Sequence, residues 1–426
     1  MQAALRVLAG TAGLALFAVT IRTIVGSMLV PRPRTPVVAD WVVRFNHWAF
    51  RRIAFRRSTF GERDAALSAA GPATILLQLV VFVLLFVVSG ALIVYAISGG
   101  GAESALYQSA SSLFTLGIVE PAPAGVVAVG LVAAFVGLVV VAILVGYLLA
   151  LYSAFSQQES IGAAFGTLAG EPAWGPELIC RSALLGEASR DEVYARALSW
   201  VSDLRLNHTV YPVLKQFRST QPHRHWLVTL VALLDAAALE LTTVADGTSR
   251  AALVRCLAEG TETLSTLTAA APYRLETPFP TSPAEGADPR TEQPASAPPA
   301  AAGNRSNATG EQAVMTAVAQ DGRSSLVGPN VAVALHRSGN PGVTREQWDY
   351  ARTLLRAAGV PLRPDADEAW RHFAAVRSSY ARNAYILAQL VYATPAPWTG
   401  ERFPATETVW PHLAAGAAVP SPPDGD

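Results

Sequence analysis

The side chains of this chain that could carry acid–base, nucleophilic or metal chemistry are few and poorly spaced for it. Cys180 and Cys256 share no C-x-x-C spacing, and no histidine pair in zinc-ligand register accompanies them. They read as buried, reduced thiols. His208 in NHTVYP, His223 and His225 in QPHRHW, Asp235 and Glu240 complete the set. Histidines at i and i+2 are a poor metal register on a helix, and neither a nucleophile elbow nor a glycine-rich phosphate loop joins them. Lys215, in VLKQF, is the only lysine of the chain. A phosphate-binding G-x-x-x-x-G-K-[ST] loop and a kinase core each need a lysine in a set place, and Lys215 fits neither. The expectation is no enzyme, no metal and no cofactor. Acids and bases are equal in number, 32 each, so no basic excess points to nucleic acid.

A different chemistry is suggested by residues 105–120, ALYQSASSLFTLGIVE. The run is apolar and hydroxyl-rich, uncharged up to its final glutamate, and lies between two long apolar segments. It is too short to cross a bilayer and too apolar for an ordinary loop. A span, a short apolar segment and a second span are the parts of a pore loop. Non-helical backbone at membrane depth is tolerated only where protein buries it or where it lines a wet cavity.

The elements that would position this run follow from hydropathy. Only 15% of residues are charged, against about 25% in soluble domains, and the apolar excess lies before residue 156. Three segments are long enough to span a core of about 30 Å: Ala4 to Val30, Ala73 to Ser98 and Ala124 to Phe155. The second and third carry no charge. Arg22 interrupts the first, yet IVGSMLV continues past it without a small-x-small cleavage site, so the segment reads as a retained helix rather than a signal peptide.

Between the first two spans lie Arg32, Arg34, Arg44, Arg51, Arg52, Arg56, Arg57 and Arg63, whereas no lysine or arginine separates the second from the third. The positive-inside rule places residues 31–72 in the cytoplasm, the N-terminus and the 99–123 segment outside, and the chain after Phe155 inside. The predicted location is the inner (plasma) membrane. Within the basic loop, Trp41, Phe45 and Trp48 recur at helical spacing among Arg51, Arg52, Arg56 and Arg57. That pattern predicts an amphipathic helix at the inner interface, in contact with the lipid bilayer.

The pore-loop run also resembles the two-helix pore domain of potassium-channel-like proteins, close to the actinobacterial membrane proteins related to two-pore-domain potassium channels. In those channels a short helix, often beginning Ala-Leu-Trp, leads into a T-V-G-Y-G-D filter. Ala105, Leu106 and Tyr107 stand where Ala-Leu-Trp would, and Ser109 and Ser112 fall in the same pore helix. With no gap, Thr115, Leu116, Gly117, Ile118, Val119 and Glu120 then occupy the filter positions. The resemblance covers residues 73–155 and implies a homotetramer that passes monovalent cations, potassium first among them. It also implies a hinge in the last span, at Gly137. Filter carbonyls replace the ion's hydration shell, and Glu120 would ring the outer mouth. Two departures stand out: Val119 replaces a glycine where positive φ is needed, and Ile118 replaces the filter tyrosine. They leave three outcomes open: weakly selective cation passage, a collapsed and non-conducting filter, or a hairpin kept only as the packing scaffold of a membrane-anchored interaction or sensory protein.

The expected fold is therefore an all-α membrane protein. It has three transmembrane helices, a re-entrant pore loop between the second and third, and an α-helical cytoplasmic domain able to meet a partner. Residues 156–275 carry helix signals, and HWLVTLVALLDAAALELTTV reads as a core helix because Asp235 lies near its centre. Residues 276–328 are rich in Pro, Ala, Ser, Thr and Gly, as in a flexible insertion. The 329–426 part resumes helix, with Thr344 and Gln347 set for a capping box and Gly359 with Pro361 ending that helix. The N-x-[ST] triplets at Asn207, Asn304 and Asn307 are cytoplasmic by this topology and carry no inference.

Overall fold

The structure, a computed structural model, describes residues 2–30, 36–117, 123–184, 187–221, 223–245, 249–270, 342–393 and 398. Arg32, Arg34, Ile118, Val119, Glu120, the 276–328 insertion with Asn304 and Asn307, and the final tail lie outside the described residues. Among the described residues the chain is helical and forms no strand; one isolated antiparallel bridge joins Val244 and Leu362. It divides into two compact units, Met1–Ser156 with Asn207–Arg218, and Gln157–Leu206 with Ser219–Asp426. The 207–218 segment thus packs in the first unit, although its sequence neighbours on both sides belong to the second.

The first unit begins with α1 (Gln2–Ile24), continued by a wider π turn at Val25–Leu29. α2 (Val37–Ala54), α3 (Phe60–Ser68) and α4 (Ala70–Ser98) follow. Thr59 and Glu62 close a capping box at the start of α3, and Gly99 ends α4 with φ 66°. α1 runs antiparallel to α4. A Cβ at Gly10 would approach Ala96, and one at Gly13 would lie 2.9 Å from the Ser89 carbonyl, so small residues let the two backbones close up. At the far end Arg6 donates to the Gly99 carbonyl at 3.2 Å, placing a cation on the carbonyl end of α4. α1 is thus packed along α4 as an integral helix of the unit. α5 (Ala102–Leu113) is short, and α6 runs from Ala124 to Ala169.

The second unit is built around α9 (Trp226–Thr243), all of whose residues are buried. α7 (Gly175–Leu184), α10 (Arg250–Ala269) and α12 (Ala366–Val391) pack on it. α8 (Glu187–Val210) and α11 (Arg345–Ala357) complete the set of described helices. Gly175 and Gly260 allow this density, because a Cβ at the first would meet the α9 backbone and one at the second the Leu234 side chain. α11 starts on the capping box read from the sequence: Gln347 N–H donates to Thr344 Oγ1 at 3.2 Å, and Thr344 N–H to Gln347 Oε1 at 3.0 Å. It ends at Gly359, φ 75°, with Val360 N–H returning to the Leu355 carbonyl.

Candidate pore loop and its inner clasp

α5 is seated on both helices that flank it. Ala105 packs with Val94 of α4 and Val126 of α6, near one end of each. Leu113, eight residues on, packs with Phe82 and Phe86 of α4 and Val140 of α6. Along α5 the neighbours therefore move from the end of α4 toward its middle, and from the start of α6 into its apolar run.

Glycines and hydroxyls make that seat. Ser109 is buried and donates to the Val87 carbonyl at 2.9 Å, and a Cβ on Gly90 would collide with its Oγ. Ser112 lies over Gly130, where a Cβ would sit 3.0 Å from its Oγ. Gly137 faces the main-chain carbonyl of Leu113, which a Cβ there would strike. In this structure Gly137 is thus a close-packing position for the end of α5. Leu106 and Tyr107 remain exposed.

The end of α5 is a Schellman motif. Leu116 N–H donates to the Ser111 carbonyl at 2.9 Å and Thr115 N–H to the Ser112 carbonyl at 3.0 Å. Thr115 takes the left-handed place, φ 55°, that glycine usually fills. For a side chain branched at Cβ this conformation costs about 1–2 kcal/mol. Its hydroxyl donates to the Phe114 carbonyl at 2.7 Å. Gly117 is again left-handed, φ 63°, and nothing stands within 4 Å of where its Cβ would be. Thr115, Leu116 and Gly117 are all exposed. Ile118, Val119 and Glu120, the remaining filter-like positions, lie outside the described residues.

The opposite end of the hairpin is held by residues that motif reasoning did not single out. Residues 212–216 form a short 3-10 turn, and Phe217 after it wedges between α4 and α6. Its ring lies 5.8 Å from Tyr152 and 5.4 Å from Phe155, against Gly71, where any Cβ would overlap it. Tyr211 meets Tyr147 edge to face. A polar chain adds direction. Asn46 of α2 donates to the Ala70 carbonyl at 2.9 Å and to Thr74 Oγ1 at 2.7 Å, and Thr74 donates to Gln216 Oε1 at 2.6 Å. Arg218 pairs with Asp64 of α3 at 2.7 Å, both nearly buried. Burial, with Arg51 and Arg218 close by, brings His47 down to about 4, and burial brings Lys215 down to about 8. The sequence signal for this clasp was faint: a proline turn followed by an aromatic and an arginine.

α2 exposes one aromatic face. Trp41 and Trp48 are 63% and 60% exposed, and Phe45 stacks on Trp41 with centroids 5.6 Å apart. Arg51 lies half-buried, with its guanidinium 5.3 Å over the Phe55 ring, whereas Arg52, Arg56 and Arg57 are exposed.

The residues weighed for catalysis are engaged in packing within the two units. In the second, Asp235 accepts from Arg377 at 2.9 Å and from Tyr380 at 2.7 Å, Glu240 accepts from Tyr194 at 3.0 Å, and His225 Nδ1 accepts from Leu227 N–H at the start of α9. His208, in the first, is buried. Burial drives both cysteine thiols up to about 12. Among the described residues no three His, Cys, Asp or Glu side chains are grouped to hold a metal. No protein-family model, curated protein or solved structure matches the chain.

Proposed function

We propose that this is a cation-channel-like membrane protein in which four copies of the α4–α5–α6 hairpin surround one axis. α5 and the turn after it would be re-entrant, α1 would flank the hairpin, and the second unit would lie in the cytoplasm. The observation that carries the reading is the seat of α5. Leu113, near the end of this short helix, packs against Phe82 and Phe86 in the middle of α4 and Val140 of α6, and the helix ends in a turn with two left-handed residues; with α4 and α6 spanning a bilayer, that would bring main-chain carbonyls to mid-depth. In an assembly those carbonyls and the Thr115 hydroxyl could take over part of a monovalent ion's hydration shell. The exposed Leu106, Tyr107, Phe114 and Leu116 are apolar surface that neighbouring copies would cover. The basic α2–α3 region, at the start of α4, would face the cytoplasm under the positive-inside rule.

Subunit count and flux in reconstituted vesicles test this reading. It predicts a tetramer that passes potassium with weak selectivity, with flux lost in Gly117→Ala and selectivity sharpened in Val119→Gly. A monomer or dimer, or a tetramer without flux in every variant, overturns the conducting form. One observation favours a second reading, a non-conducting scaffold that recruits a cytoplasmic partner. The Schellman closure at Thr115 ends α5 as an ordinary capped helix. This scaffold predicts a stable assembly whose flux is absent and insensitive to Gly117.

A further inference from the structure

α2 is an amphipathic helix whose apolar face stays exposed among the described residues. Its inner face, Ala39, Val42 and Asn46, is buried, and Asn46 bonds to the first turns of α4. Its opposite face carries Val37, Trp41, Phe45 and Trp48, all exposed. On a globular protein in water, that stripe would be expected to turn inward. Here the helix is pinned the other way round by Asn46, so the aromatic stripe points outward by construction.

The charges beside the stripe select what covers it. Asp40 is engaged by Arg44 at 2.5 Å, Asp64 by Arg218, and Glu62 caps α3. No ion pair among the described residues engages Arg52, Arg56 or Arg57, which are exposed. Asp40 and Asp64 are thus already paired and Glu62 is used as a cap, and three exposed guanidinium groups stand in the last turn of the helix that carries the indole rings and just after it. A second copy of the chain would oppose arginine to arginine at this face. Indoles at the polar boundary with arginines beside them are instead the pattern of a helix lying in an anionic lipid surface.

We propose that α2 and the turn after it form a binding surface for anionic phospholipid, with Trp41, Phe45 and Trp48 inserted at the acyl boundary and Arg52, Arg56 and Arg57 on the headgroup phosphates. Because Asn46 ties α2 to Thr74, and Thr74 to Gln216, lipid held here is linked to the inner clasp of the hairpin. The inference rests on α4 spanning a bilayer and not on ion conduction.

The test uses the full chain in nanodiscs of phosphatidylcholine, alone or with about one-third phosphatidylglycerol. A nitroxide is placed at Val37→Cys or Phe45→Cys, Cys180 and Cys256 being buried. The expected result is a label open to oxygen and shielded from a water-soluble nickel chelate, more so with phosphatidylglycerol. Native mass spectrometry should find phosphatidylglycerol retained over phosphatidylcholine, with roughly a fivefold loss of preference for each of Arg52→Gln, Arg56→Gln and Arg57→Gln, each arginine contributing about 1 kcal/mol. Inorganic phosphate added to phosphatidylcholine discs should not reproduce the shift. Labels open to the chelate in both lipids, labels coupled to one another across copies, or retention unchanged in the triple variant would each overturn the proposal. None of these readouts involves flux, so the lipid surface can fail while the channel reading stands, and the reverse.

Discussion

Replacing Gly137 by alanine separates a packing position from a hinge. In an α-helix interior, glycine to alanine gains about 1 kcal/mol from backbone entropy alone. Opposing this, the new Cβ would meet the Leu113 carbonyl oxygen, with the Leu113 Cδ1 3.3 Å away. The obstacle is main chain at the end of α5, which no rotamer change can clear. Overpacking of this kind costs about 1–3 kcal/mol, so the net effect is a loss of up to about 2 kcal/mol. Neighbouring glycines calibrate the scale. At Gly90 the obstacle is the Ser109 hydroxyl, which can swing away at the cost of its bond to Val87, about 1 kcal/mol. Gly90→Ala should therefore be near neutral, and the pair with Ser109→Ala should recover stability. At Gly130 the contact with Ser112 is looser, and at Gly146 nothing stands within 4 Å, so Gly146→Ala should stabilise. The readout is the order of unfolding midpoints of the first unit in detergent: Gly146→Ala highest and Gly137→Ala lowest. A Gly137→Ala protein as stable as Gly146→Ala would refute the seat described for α5, and altered flux with unchanged stability would restore the hinge.

His47, Asp64, Cys180 and Asp235 give four further tests. The neutral form of His47 is favoured in the folded state by burial beside Arg51 and Arg218, the latter already held by Asp64, and its value falls from 6.5 to about 4. Stability should therefore be full above about pH 6.5 and be lost as pH falls toward 4, by at most about 3 kcal/mol, and His47→Gln should flatten that slope in pH-dependent melts. Asp64→Asn or Arg218→Gln alone should cost about 3–5 kcal/mol, and the double variant should cost less than the sum in a double-mutant cycle. Cys180 and Cys256, buried and raised to about 12, should resist maleimide until the protein unfolds. Asp235→Ala should cost about 3–5 kcal/mol by removing the buried carboxylate to which Arg377 and Tyr380 donate, measured as a fall in the melting midpoint of the second unit.

The apolar helices were legible because hydropathy is a property of contiguous residues. Their ends were less so. α6 continues to Ala169, past the Phe155 where apolarity stops, because QQESIGAAFGTLA holds no proline and the chain first turns left-handed at Gly170, φ 76°. The pore-helix positions from Ala105 to Ser112 fall within a helix that runs from Ala102 to Leu113. The backbone at Thr115 did not read at all, since threonine disfavours the left-handed region that the structure assigns it. The pairings of the clasp were hidden for a different reason. Arg218 and Asp64 are 154 residues apart and Thr74 and Gln216 are 142 apart, and no local pattern encodes such pairings. Gly71, read as part of a loop, proved to be the place where Phe217 needs a missing side chain.

α9 and α6 are both apolar enough to cross a membrane, and the structure treats them oppositely. In Trp226–Thr243, 94% of the apolar window is buried within the protein; in Ala124–Ala169 the figure is 6%. α9 is covered by α7, α10 and α12, and its two acids are matched by Arg377, Tyr380 and Tyr194. Moving it into a bilayer would strip Asp235 from an arginine that is itself buried, so its apolar character belongs to a core. Among the described residues α6 has no such cover. Leu131, Phe135, Leu138 and Leu149 are about two-thirds exposed, with Val127, Val132, Val141 and Val145 beside them. At about 1.5–3 kcal/mol for each such side chain fully buried, leaving these in water forgoes on the order of 10 kcal/mol, comparable with the whole stability of a typical domain. That cost favours a lipid surrounding for α6 over water. In the proposed tetramer, further copies of the same hairpin would cover part of this surface.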